Sequence, residues 1–168
     1  MFRKVWRLSA LPLVLLLACS SDSTLNGNKL AQQMQRGIEK AGVKLKKIHC
    51  PQGRALKLND TFDCTAESTN GKAIKVQARQ INDKGNVTWE VTSGLIDTKT
   101  VRDDITSRYA NGDPPVEVKV TCPSSKAIAV AEGDTFECKA ENPKDANDFR
   151  TVRVTVKPGA ATFDWAPV

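Results

Sequence analysis

The stretch Asn59-Asp60-Thr61-Phe62-Asp63-Cys64 occurs a second time as Gly133-Asp134-Thr135-Phe136-Glu137-Cys138. Four of the six positions are identical, and a fifth exchanges Asp for Glu. A cysteine-proline pair precedes each copy, as His49-Cys50-Pro51 and as Thr121-Cys122-Pro123. Downstream, Gly85-Asn86-Val87-Thr88-Trp89 matches Gly159-Ala160-Ala161-Thr162-Phe163. Upstream, Leu30, Met34 and Ile38 match Val101, Ile105 and Tyr109 at an offset of 71, close to the 72 that separates Cys50 from Cys122. A shift this constant over a whole unit is the mark of a duplicated module. Two copies of about 70 residues predict tandem domains, too few for a solenoid.

Each copy is expected to open with a helix. Leu30, Met34, Ile38 and Ala41 recur at helical spacing, and Gly42 follows as a stop. In the second copy Asp97 or Thr98 can cap a helix carrying Val101, Ile105 and Tyr109, which Asn111-Gly112-Asp113-Pro114-Pro115 then breaks. The apolar stripes are narrow, so each helix should lie across a flat surface. Strands supply that surface. Val116, Val118 and Val120 alternate with polar residues, as do Val152, Val154 and Val156, and Ile74, Val76 and Ala78. Turns are expected at Asp83-Lys84-Gly85-Asn86 and at Pro158-Gly159. Short connections make the sheets antiparallel, with one face under the helix and one face wet. The predicted fold is α+β: two tandem modules, each one helix packed on a four-stranded antiparallel sheet with one disulfide. The segment from Val43 to Ile48 breaks the alternation, because Lys46 aligns with Val118, and a bulge or register shift is expected there.

The chain starts with an address. Arg3, Lys4 and Arg7 precede an apolar stretch from Leu8 to Leu17, interrupted by Ser9 and Pro12. That length suits a signal peptide and is too short to span a bilayer. It ends in Leu16-Leu17-Ala18-Cys19, which resembles the lipobox of bacterial lipoproteins. The resemblance implies acylation of the Cys19 sulfur, cleavage before Cys19, and attachment to the cell membrane on its extracytoplasmic side. The expected organisation is a signal peptide over 1–18, a lipidated cysteine and flexible tether over 19–27, a first module over 28–93 and a second over 94–168. The formal charge of the whole chain is +6. Loss of Arg3, Lys4 and Arg7 would leave 22 Lys and Arg against 19 Asp and Glu. Compartment and modest charge together argue against a nucleic-acid partner.

Cys50, Cys64, Cys122 and Cys138 remain, two to a copy. In an oxidising compartment the expected pairs are Cys50–Cys64 and Cys122–Cys138. A four-cysteine zinc site is the competing reading; no Cys-x-x-Cys pair occurs to favour it.

The pattern of Cys-Pro, Asp-Thr-Phe-x-Cys, a preceding helix and a following valine-alternating strand resembles a domain-of-unknown-function family common in secreted and lipid-anchored proteins of actinobacteria. Two copies would cover nearly all of the chain after Cys19. The resemblance implies a compact helix-on-sheet module with one disulfide and no established activity. Asn59 stands where the second copy has Gly133, which leaves the type of that turn open. In architecture alone, tandem disulfide-bonded modules of this kind also resemble the secreted beta-lactamase inhibitory proteins; no binding residue is carried over from them.

No residue set for catalysis is found, so no catalytic residue, metal site or cofactor is expected. His49 is the only histidine. Asp60 with Asp63, and Asp134 with Glu137, are too few carboxylates for a calcium loop. Neither a Gly-rich phosphate loop nor a Gly-x-Ser-x-Gly elbow occurs. Phe62 and Phe136 should pack on the disulfides, while Trp165 is expected between the modules or exposed to a partner. Residues 20–94 carry 12 basic and 7 acidic side chains, and residues 95–168 carry 10 and 12. Lys44, Lys46, Lys47, Lys72, Lys75 and Arg79 are expected to form a basic face toward an anionic membrane, with a tether from Ser20 to Asn28. The expected function is a lipid-anchored envelope protein that binds or inhibits another envelope or exported protein without catalysis. The alternatives are a structural spacer without a specific partner, or a phage-encoded surface lipoprotein that interferes with infection.

Overall fold

The structure, a computed structural model, describes residues 24–124, 126–159 and 162–168. It is a mixed α/β protein with two helices, antiparallel sheets and two disulfides. The chain enters as a short strand β1 (Thr24–Leu25) and continues into helix α1 (Gly27–Lys40). Strands β2 (Leu45–His49), β3 (Arg54–Ala55), β4 (Thr61–Ser68), β5 (Ala73–Gln80) and β6 (Val87–Ser93) follow. The order then recurs as β7 (Leu95–Asp97), helix α2 (Thr98–Ala110), β8 (Lys119–Thr121), β9 (Ala127–Ala129), β10 (Thr135–Asn142), β11 (Asp145–Val156) and β12 (Phe163–Pro167).

One sheet has the order β2-β4-β5-β6 and another the order β8-β10-β11-β12. Both are antiparallel meanders, because each connection is too short for anything but a hairpin or a loop. Along β4 and β5 burial alternates residue by residue, so Phe62, Cys64 and Ala66 and Ile74, Val76 and Ala78 face inward. Leu30, Met34 and Ile38 of α1 close over them, and Gly37 lets the helix settle onto the ring of Trp89. The second core repeats the plan with Val101 and Ile105 of α2 over Cys138, Ala140, Val152 and Val154. Asn26 and Asp97 cap the two helices, their side chains accepting from the backbone N–H groups of Lys29 and Lys99.

Two departures from expectation stand at the chain entry. Thr24 and Leu25 pair with Ala55 and Arg54, and α1 begins at Gly27, so the chain is paired and helical within the stretch expected as a tether from Ser20 to Asn28. Leu25 drives this, since its side chain joins the first core. The register shift falls on β2, between Leu45 and Lys47. In the second sheet β8 is confined to Lys119–Thr121, shorter than the valine alternation predicts.

The same small device occurs twice. As β1 pairs with β3, β7 pairs with β9. The second pair is a wall between the cores. Leu95, Ala127 and Ala129 pack on the first core, and Ile96 and Ile128 pack on the second. A strand whose side chains alternate can serve two cores at once. Gly94 admits the wall, since it has a positive φ of 87° and a Cβ there would stand 2.1 Å from the Ala73 carbonyl oxygen. Asn70 Nδ2 donates to the Ala129 carbonyl at 3.3 Å, Lys72 Nζ meets Asp134 at 2.7 Å, and Lys126 Nζ donates to the Lys40 carbonyl at 3.0 Å.

Candidate functional site

Cys19, the expected lipidation site, lies outside the described residues. Cys50 is joined to Cys64 and Cys122 to Cys138. Cys50, Cys64 and Cys138 are buried, and each bridge ties the residue just after the first strand of its sheet to the second strand. These bonds are scaffold, with Phe62 and Phe136 in the same cores as their cysteines.

The acidic pairs divide between turn and sheet face. Asp60 receives two guanidinium nitrogens of Arg54, at 2.7 and 3.0 Å, and the Gln80 amide at 3.2 Å. The Arg54 hydrogen bonds hold its carboxyl below the ordinary range. Asp134 is lowered likewise, first by Lys72 and then by the N–H of Ala131. A lowered folded value means that each contact contributes above the ordinary carboxylate pKa, and that its contribution is lost as acid passes the folded value. Asp63 and Glu137 are exposed, and Glu137 pairs with Arg153 at 3.2 Å. His49 sits exposed on β2 opposite Thr65. Among the described residues no group of three His, Cys, Asp or Glu is placed to hold a metal ion, and no helix is long and apolar enough to cross a membrane.

The expected basic face is partly consumed. Lys46 and Lys47 both pair with Glu67, at 3.0 and 2.9 Å, and Lys72 crosses to Asp134. Trp165 also differs from expectation. It stacks on Tyr109 at 5.9 Å, donates from Nε1 to Asp104 at 2.7 Å and lies under the Arg108 guanidinium. It therefore locks β12 to α2 within the second core and takes no part in the wall.

The surface with most to offer a partner is at the far end of the second sheet. Val116 and Phe149 are 44% and 46% exposed and line one groove of about 250 Å³ with Tyr109, Val118 and Ala140. Lys139 Nζ lies 4.4 Å over the Phe149 ring, and Asp148 and Arg150 flank it. Phe149 faces Glu141 across the β10–β11 hairpin, as Ala73 faces Glu67 across β4–β5. The first hairpin is where β7–β9 docks, whereas its counterpart in the second sheet is open. Sequence reading passes over Phe149. Its signal is the longer hairpin, because Cys138 pairs with Val152 where Cys64 pairs with Val76.

The geometry defines a mixed α/β scaffold of two helices and antiparallel sheets held by two disulfides, with an apolar groove exposed at Val116 and Phe149. Residues 12–85 match the family described as Domain of unknown function (DUF4333). The match takes in β1 to β5 and the turn before β6, and its residues 12–23 lie outside the described part of the chain. No curated protein and no solved structure gives a significant match.

Proposed function

We propose that the protein is a lipid-anchored, non-catalytic binding protein of the cell envelope, attached through acylated Cys19 on the extracytoplasmic side of the membrane. Its body is two tandem copies of one module, joined at the β7–β9 wall. Several matching features support duplication. The two sheets share their strand order, each helix is preceded by a strand of a two-stranded sheet, and one turn is built identically in both halves. Asn59 N–H donates to the Gln80 carbonyl and Gln80 N–H to the Asp60 carbonyl, as Gly133 N–H donates to Val156 and Val156 N–H to Asp134. Disulfides fit an exported protein.

The observation that carries the binding reading is the pair Val116 and Phe149 on the open hairpin end, at the place corresponding to the surface where the first half receives β7–β9. Large apolar groups concentrated in one groove are the usual core of a protein contact. The partner is an envelope or exported protein with an apolar surface element. The test is affinity capture from envelope extract with the lipidated parent and with a Val116→Asp/Phe149→Asp variant. A stoichiometric protein captured by the parent and lost in the variant supports the reading. Identical capture by both rules out this groove as the contact, and no partner for either favours a spacer role.

A further inference from the structure

We propose that the end of the first unit formed by the turns around Leu58 and Ile81 rests on an anionic lipid surface and holds the second unit away from it. The inference depends on the lipid-anchor reading of Cys19. Thr24 already pairs with Ala55, and only Ser20 to Ser23 separate it from Cys19. Five peptide steps reach at most about 18 Å even fully extended. An anchored Cys19 therefore keeps the Thr24 end of the molecule near the headgroups.

That end is unlike its counterpart in the second half. Asn59 N–H donates to Gln80 O, and Ile81 N–H donates to Asn86 O, which brings the two turns side by side. Gln80 Nε2 donates to the Ala55 carbonyl, tying both turns to the strand that receives Thr24. Leu58 is 56% exposed and Ile81 is 49% exposed. The matching turns of the second half, defined by the Gly133–Val156 and Lys157–Thr162 hydrogen bonds, carry Glu132 and Lys157 instead. There the neighbouring strand β9 is buried against the first core; here Thr24 and Ala55 are bare.

Charge points to the same surface. Lys29 and Lys84 line a groove beside Thr24, Lys57 adjoins Leu58, Arg54 lies on β3, and Arg79 bonds to Asn59. Among the described residues the acids at this end are Asp60, already held by Arg54, Asp83, and Glu90, which lines a groove with Asn59 and Arg79. Five basic groups against three acidic ones among the described residues, around two exposed aliphatic side chains, fit an anionic headgroup layer with shallow apolar contact. The opposite ends of β4 and β5 carry Asn70 and Lys72, which hold the second unit. Eight residues of strand separate the two ends by about 26 Å.

The test is hydrogen exchange on the intact lipidated protein, reconstituted in neutral bilayers and in bilayers with about 30% anionic lipid. The expected result is exchange slowed about fivefold or more at residues 56–60 and 81–86 on the anionic bilayer alone, partly reversed by about 0.5 M salt. A Leu58→Ser/Ile81→Ser variant should lose that protection, with the β10–β11 hairpin unchanged throughout. Unchanged exchange at both turns overturns the proposal, as does protection centred instead on the outer face around Lys75. So does protection that appears only on addition of envelope proteins. Mass analysis of the mature N-terminus separates the two readings. A missing lipid adduct on Cys19 overturns the anchor reading and this proposal with it; an adduct without protected turns overturns this proposal alone.

Discussion

Asn59 has a φ of 65°, in the left-handed region that disfavours most side chains. Gly133, at the same place in the second copy of the turn, has a φ of 81°. The backbone demand is thus the same, and Asn is the residue that meets it with least penalty after Gly. The Asn59 side chain also accepts a hydrogen bond from Arg79 at 2.7 Å. Asn59→Gly should leave stability within about 0.5 kcal/mol of the parent, since the lost contact is exposed. Asn59→Val should cost about 1–2 kcal/mol, because a β-branched side chain crowds the left-handed backbone. Denaturant unfolding of both variants checks this; a neutral Asn59→Val would mean that the turn relaxes to another conformation. The turn is closed by the Asp60 N–H donating to the Lys57 carbonyl, as the Asp134 N–H donates to the Ala131 carbonyl in the corresponding turn.

At the scale of elements, each sheet is closed by a bond between its first strand and its second. The loop from Cys50 to Cys64 spans a sequence separation of 14, and closing a loop of that size stabilises by about 3 kcal/mol in the chain-entropy model. In the first sheet β2 also pairs with β4 at Leu45, Lys47, Ile48 and His49, with a register shift between Leu45 and Lys47. A Cys50→Ala/Cys64→Ala variant should lose about 3 kcal/mol of unfolding free energy, read by denaturant titration. A loss below about 1 kcal/mol would place the main restraint on β2 elsewhere, for instance in Lys46 and Lys47 gripping Glu67. Periodicity predicts β5 and the second half of β11 well, because there one face lies on a core and one in water. It overstates β8, whose expected partner residues around Val116 lie beyond the pairing that β10 offers.

In the whole molecule, the two cores share a wall that is a single layer of two strands. Ala129 is 6% exposed and belongs to the first core by contact, yet lies among residues of the second half by sequence. Neither core is complete without β7 and β9, so the two should unfold together. Calorimetry of the parent should show one transition with matching calorimetric and van't Hoff enthalpies. Ala129→Asp buries a charge against apolar neighbours, at a cost of about 3–5 kcal/mol, and should split that transition in two. Two separate transitions in the parent would contradict the shared wall.

The sequence alone determined the recurring Asp-Thr-Phe-x-Cys motif, the cysteine partition and the alternating strands, because each is written locally, in spacing and in period. The tertiary structure decided the rest. Nothing in the run from Ala127 to Ala129 announces that its side chains serve two cores, since that depends on where β7 lies. Lys72 reads as one more surface lysine until Asp134 is brought across to it. Leu58 and Ile81 are unremarkable twenty-three residues apart; hydrogen bonds between their turns bring them to the end where the chain enters. Local periods record which face of an element is apolar, whereas contacts between distant residues depend on how the faces are assembled, and only the folded chain holds that information.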